Sequence, residues 1–276
     1  MASKKTQSCA ILFVVFPLVF LSTHAAVFRD NFLDMKNIQS ASNIVLNDSM
    51  HALVLLGDKA TLSAELPAEC SALAFDIRNS MFVFLCKDVS DQHVFKLLAF
   101  DGTELREIAR ATIAKKYTYT LGHALYITND GNLHAVISAY DSEAGTSRLI
   151  LLSPFGVKAK ELWYRFNYNL LASHPVSFVV DNAGNSHIAL YNVFRDSRVL
   201  LYIFVDRKTG RTTREIIYTP ADMSVCNRYR LFINPDTLSP EVVFVDYASE
   251  TSDYRVFKAT RVAYKQWHIQ KSSKGS

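Results

Sequence analysis

Short apolar runs separated by polar turns recur along the chain, and one arrangement of them returns at a fixed interval. An apolar triplet, a polar turn and a second apolar run read Leu125-Tyr-Ile-Thr-Asn-Asp-Gly-Asn-Leu-His134-Ala-Val-Ile, then Phe178-Val-Val-Asp-Asn-Ala-Gly-Asn-Ser-His187-Ile-Ala-Leu. Gly131 and Gly184 lie 53 residues apart, as do His134 and His187. A looser copy, Leu231-Phe-Ile-Asn-Pro-Asp-Thr-Leu-Ser-Pro-Glu-Val-Val, places Asn234 53 residues after Asp181. An earlier one, Leu73-Ala-Phe-Asp76-Ile-Arg-Asn-Ser-Met-Phe-Val, places Asp76 52 residues before Thr128. A basic-Glu-apolar landmark keeps the same beat, with Glu107, Glu161 and Glu215 at intervals of 54.

Between the landmarks lie Val94–Phe100, Leu149–Leu152, Val199–Val205 and Val256–Ala259, with turn signals at Asp101-Gly102 and Thr209-Gly210. Each unit therefore holds four strand-like runs. Thr103–Lys116 is ambiguous by itself, because Leu105, Ile108, Ala109 and Ile113 also fit a helical stripe. Its repeat partners Trp163-Tyr164-Arg165-Phe166 and Ile216-Ile217-Tyr218 read as strand, which decides for strand.

Four short strands repeated at this period predict an all-β fold, a β-propeller of four-stranded blades. The units fall near 71–120, 121–172, 173–225 and 226–276, within a domain running over 26–276. A shorter unit at 44–70 uses Ile44–Leu46, His51–Leu56 and Thr61–Leu66, which makes four or five blades, alone or as part of a larger ring. The segment Asp181-Asn-Ala-Gly-Asn-Ser-His187-Ile-Ala resembles the D-x-x-G-N-x-h-h-A blade element of NHL-type and sialidase-like secreted propellers, and Asn129–Ala135 resembles it more loosely. The resemblance implies the fold and a binding face, but no particular activity, because propellers host unrelated functions.

The N-terminus breaks the pattern. Lys4 and Lys5 precede an uncharged apolar run from Ala10 to Leu21, followed by Ser22-Thr-His-Ala-Ala26. Such a run rises only about 18 Å as a helix, against a bilayer core of about 30 Å. Residues 1–25 therefore read as a cleaved signal peptide, with Thr23 and Ala25 at the −3 and −1 positions. The mature chain is expected to be secreted or lumenal, with no membrane span. It keeps Cys70, Cys86 and Cys226. Cys86 lies in an apolar run, where a buried inert thiol is expected rather than a bridge. Asn47-Asp48-Ser49 is a glycosylation sequon.

Composition narrows the partners. The 276 residues carry 30 Lys+Arg against 26 Asp+Glu, a formal charge of +4 that implies no nucleic-acid surface. With 49% hydrophobic residues the chain is able to build a full core.

Candidate chemistry centres on the repeated turns. Asp130-Gly131-Asn132 and Gly184-Asn185 suit tight hairpins, and the same residues are candidate ligand contacts on a loop face. Asp76, Asp130 and Asp181 sit near the same end of the first strand of their units, as does Asp236. Asp206-Arg-Lys-Thr-Gly-Arg-Thr-Thr-Arg214 adds Arg207 and Arg211 as contacts for an anionic glycan. The binding candidates are thus Asp76, Asp130, Asn132, Asp181, Asn185, Arg207 and Arg211, while His134 and His187 read as structural repeat positions. Tyr140, Trp163, Tyr191, Tyr247 and Trp267 are able to stack on sugars or to pack blades. No H-x-x-x-H, C-x-x-C, G-x-S-x-G or phosphate loop is present, so no metal, cofactor or serine nucleophile is indicated. The reading is a secreted binding module for a protein or glycan ligand, leaning away from an enzyme. The alternative is a secreted glycoside hydrolase using carboxylates at the channel mouth.

Overall fold

The computed structural model describes residues 41–46, 51–56, 60–65, 70–76, 78–79, 81–101, 104–156, 159–163, 176–194, 197–221, 224–248 and 253–271. Residues 1–25, expected to be a signal peptide, and Asn47 lie outside them. The described residues form an all-β fold without a helix.

A three-stranded antiparallel sheet comes first: β1 (Ala41–Leu46), β2 (His51–Leu56) and β3 (Ala60–Glu65). Four four-stranded sheets follow. They are β4 (Cys70–Asp76) to β7 (Leu105–Thr112) through β5 (Met81–Lys87) and β6 (Val94–Phe100), and β8 (Tyr119–Ile127) to β11 (Lys160–Trp163) through β9 (Leu133–Asp141) and β10 (Thr146–Leu152). The next comprises β12 (Val176–Val180), β13 (Ser186–Phe194), β14 (Ser197–Val205) and β15 (Thr212–Tyr218). The last comprises β16 (Ser224–Ile233), β17 (Pro240–Ala248), β18 (Asp253–Ala263) and β19 (Gln266–Lys271). Strands are paired in chain order and antiparallel throughout. Thr103–Lys116 contributes β7, a strand as its repeat partners predicted; residues 164–166 lie outside the described set.

The first strands contact one another in succession: β8 touches β4 on one side and β12 on the other, and β12 touches β16. The inner sheets are therefore covered on both faces. Along β9, Val136 joins Leu149, Leu151, Phe178, Ile188 and Leu190 in one core, while Ala135, Ile137 and Ala139 join Val83, Leu85, Phe95 and Leu97 in the next. Alternation still operates, but both faces are dry, so the strands read as continuous apolar runs rather than alternating ones. A third core, with Tyr202, Leu231, Val242 and Phe244, joins the last two sheets.

The turns after the first strands share one device. Asp76 Oδ1 accepts the backbone N–H groups of Arg78 and Asn79, and Asp181 Oδ1 accepts those of Ala183 and Asn185. Asn234 Oδ1 does the same for Asp236 and Thr237, and Thr128 Oγ1 accepts the Asn132 N–H. These side chains replace backbone acceptors in the turn. Gly131 and Gly184 take the left-handed position, at φ 84° and 81°.

One cysteine expectation is corrected. Cys86 is not a free thiol: it pairs with Cys70 in a disulfide, the two residues facing each other across β4 and β5. Cys226 remains free and buried. The 16-residue separation hid a cross-strand pair, because only the hairpin register brings the two side chains together.

Candidate functional site

The 53-residue repeat places His134 opposite Tyr126 and His187 opposite Val179, the same pleat position in successive sheets. Both imidazoles are buried, at 6% and 4% exposure. Each Nδ1 meets a hydroxyl: Ser153 Oγ at 2.8 Å for His134, Tyr202 Oη at 2.7 Å for His187. At Nε2 the two part ways. His187 Nε2 lies 3.1 Å from Asp181 Oδ2, whereas the buried His134 Nε2 has no hydrogen-bond partner among the described residues.

The sequence explains the difference. The residue equivalent to Asp181 in the preceding unit is Thr128, whose hydroxyl is occupied by the turn itself: it donates to Asp130 and accepts from the Asn132 N–H. No carboxylate reaches back to His134. Burial pushes its imidazole down to about 4, against the pull of Asp130, so it is neutral at pH 7.

His134 lines a cavity of about 250 Å³ between the β8–β11 and β12–β15 sheets. The turns Thr128–Asn132 and Asp181–Gly184 form two of its sides, and Ser153, Pro154, Tyr126, Val180 and Arg207 complete it. Of the sequence candidates, Asp130, Asn132, Asp181 and Arg207 converge here. Asn185 supports the site from behind: its side-chain amide donates to Asp181 Oδ2, and its Oδ1 accepts the Arg207 backbone N–H. Gly184 makes room for Arg207, since a Cβ there would stand 2.6 Å from Arg207 Cδ.

Two candidates lie elsewhere. Asp76 caps its own turn after β4, and Arg211 lines a separate depression with Phe204, Thr213, Arg261 and Tyr264. Four of the five proposed sugar-stacking aromatics pack against other rings or lie in the core, and the side chain of Trp163 lies outside what the structure describes. Tyr191 is fully buried, Tyr247 pairs with Tyr254, Tyr140 with Tyr119, and Trp267 packs edge-on against Tyr202 while its indole N–H donates to Glu215. Tyr126 and Ser153, which sequence reasoning missed, are cavity residues. Tyr126 does recur in the apolar triplet, as the counterpart of Val179, and that substitution in the repeat was the available signal.

The cavity's two carboxylates are both stabilised as anions. Burial opposes ionisation of Asp181, but hydrogen bonds from His187 and Asn185 hold it down at about 2. Thr128 lowers Asp130. Among the described residues no group of three metal-ligating side chains occurs, and no helix is long and apolar enough to cross a membrane.

Asp181, His187 and Tyr202 line up as carboxylate, imidazole and hydroxyl, the order of a nucleophilic triad. The phenol is fully buried beneath Trp267, and burial raises its pKa. With no route to a substrate, the trio is a structural strut.

No protein-family model and no curated protein matches the chain. Among solved structures it is similar to a protein of unknown function from Dyadobacter fermentans DSM 18053, at 9% identity and TM-score 0.49, covering 88% of this chain and 77% of that one. An endo-1,4-beta-xylanase from Bacteroides thetaiotaomicron VPI-5482 follows, at 9% identity and TM-score 0.41 over 85% of this chain and 89% of the other. The exo-beta-1,3-galactanase 1,3Gal43A from Clostridium thermocellum gives 9% identity and TM-score 0.43 over 82% and 57%. Likenesses this distant carry none of those activities to this chain.

Proposed function

We propose that the chain is a secreted β-propeller, with the four-stranded sheets as blades and the three-stranded sheet as a short fifth, that binds a small polar ligand in the cavity between the β8–β11 and β12–β15 sheets. The successive first-strand contacts support the ring arrangement, and the Cys70–Cys86 bridge suits an oxidising compartment. The observation that carries the binding reading is the convergence of Asp130, Asn132, His134 and Arg207, from separate turns and strands, on one cavity. Arg207 points the same way: among the described residues its guanidinium has no hydrogen-bond or ion-pair partner, although it lines the same cavity.

The second reading, a glycoside hydrolase, is favoured by two carboxylates in one cavity, Asp130 and Asp181. Hydrolysis requires one of the pair to hold a proton as the general acid. Both are shifted toward the ionised form instead, and Asp181 already accepts four hydrogen bonds. Binding is therefore the first reading proposed here, with the hydrolase as the second.

The test is a glycan and protein array probed with the secreted protein and two variants. Hits that disappear in Arg207→Ala but persist in Arg211→Ala support the cavity. Hits indifferent to both Arg207→Ala and Asp130→Asn overturn it, and release of reducing sugar that Asp130→Asn abolishes establishes the hydrolase instead.

A further inference from the structure

Counting the free hydrogen-bonding capacity of the cavity narrows what it accepts. Asp181 is full, with two donors on each oxygen. Asp130 accepts once at each oxygen, from Thr128 and from Asn132, which leaves each with capacity for another donor. Arg207 offers a planar fork of donors that has no partner among the described residues. Tyr126, Val180 and Pro154 add apolar surface to the lining.

Donors and acceptors with spare capacity thus line one small volume. Charge excludes the simplest alternatives. Two carboxylates against one guanidinium, with His134 neutral, leave the lining negative, which disfavours a phosphate or a carboxylate ligand. A strongly cationic ligand would have to sit against the unpaired Arg207.

A hydroxyl is the group that both donates and accepts without charge. Carboxylate and guanidinium each present two coplanar atoms, a spacing that suits neighbouring hydroxyls on a ring, and the Val180 and Pro154 surface suits the ring's C–H face. The volume of about 250 Å³ falls below the roughly 300–1,000 Å³ of sites for drug-sized ligands, so it admits one ring and no more.

We infer that the cavity takes a single neutral sugar residue, held by Asp130 and Arg207 through its hydroxyls; this rests on the reading of the cavity as a binding site. The residue would be a free monosaccharide or the exposed end of a longer glycan, since the same hydroxyls serve both.

The experiment is a calorimetric titration of the full chain at pH 7 with neutral pentoses and hexoses, the matching uronic acids and inorganic phosphate. Short oligosaccharides ending in the best sugar form a second arm. A neutral sugar should saturate the protein, and Arg207→Ala and Asp130→Asn should each weaken it by about tenfold or more, with circular dichroism unchanged. An oligosaccharide that matches the free sugar indicates recognition of a chain end, whereas its exclusion indicates a free monosaccharide. Failure of every neutral sugar to saturate by about 10 mM overturns the inference, as does preference for the uronic acid or for phosphate. If array ligands of another class still depend on Arg207, the cavity remains a binding site and only the sugar assignment falls.

Discussion

Asp181 and His187 are joined across one turn, Oδ2 to Nε2 at 3.1 Å, and the preceding unit has the histidine without the carboxylate. Thr128 stands where Asp181 would be, so the strut that closes one turn is open in the other. The repeat built both histidines into the same place and then released one of them.

That relationship predicts unequal consequences. His187→Ala should destabilise the fold by about 1–3 kcal/mol, because it strips a donor from Asp181 and a partner from the buried Tyr202 hydroxyl. His134→Ala removes an atom that has no partner at Nε2 and one hydroxyl contact at Nδ1, so its effect should be smaller. Urea denaturation of both variants checks the order, and an equal loss would refute the distinction.

Stability should fall on mild acidification. Burial lowers His134 to about 4 and His123, bonded through Nε2 to Ser138, to about 3. An unfolded histidine titrates near 6.5, so between that pH and the folded values the unfolded chain binds more protons. The folded state therefore loses stability as pH drops from about 6.5 toward 4, before most carboxylates titrate. Asp181 adds its own loss only lower, between its ordinary value and about 2. Denaturation midpoints at pH 7 and pH 5 should differ, and His134→Gln should reduce the difference.

The disulfide gives a thiol count. Unfolded without reductant, a chain beginning at Ala26 should expose one thiol, Cys226, and the full chain should add Cys9. Replacing Cys70 and Cys86 together by alanine should cost about 3 kcal/mol for a loop of this length. Thiol titration under denaturing conditions reads the first, and thermal melts the second.

Leu238 occupies a left-handed conformation, φ 56°, in the turn after β16, and its side chain is 67% exposed. The corresponding turns use Gly131 and Gly184 for this geometry. With little burial to lose, Leu238→Gly should stabilise the protein by up to about 1 kcal/mol, read as a higher melting temperature.

Much of the architecture was legible in the residues alone. The 53-residue interval, the turn caps at Asp76, Asp181 and Asn234, and the shared pleat position of His134 and His187 are local, because strand alternation and turn chemistry act over a few residues. The dry two-faced strands were visible as unbroken apolar runs, although which face met which sheet was not.

What the tertiary structure decided was adjacency between units. Asp130, Asp181 and Arg207 belong to separate turns, and only the packing of the β8–β11 sheet against the β12–β15 sheet makes them walls of one cavity. Asp76 and Arg211 fall outside that cavity, and Tyr140 and Tyr247 meet their ring partners across neighbouring strands of their own sheets. Thr128 in place of an aspartate is plain in the sequence, but its meaning lies in burial: an imidazole nitrogen without a partner matters only once water has been removed from around it.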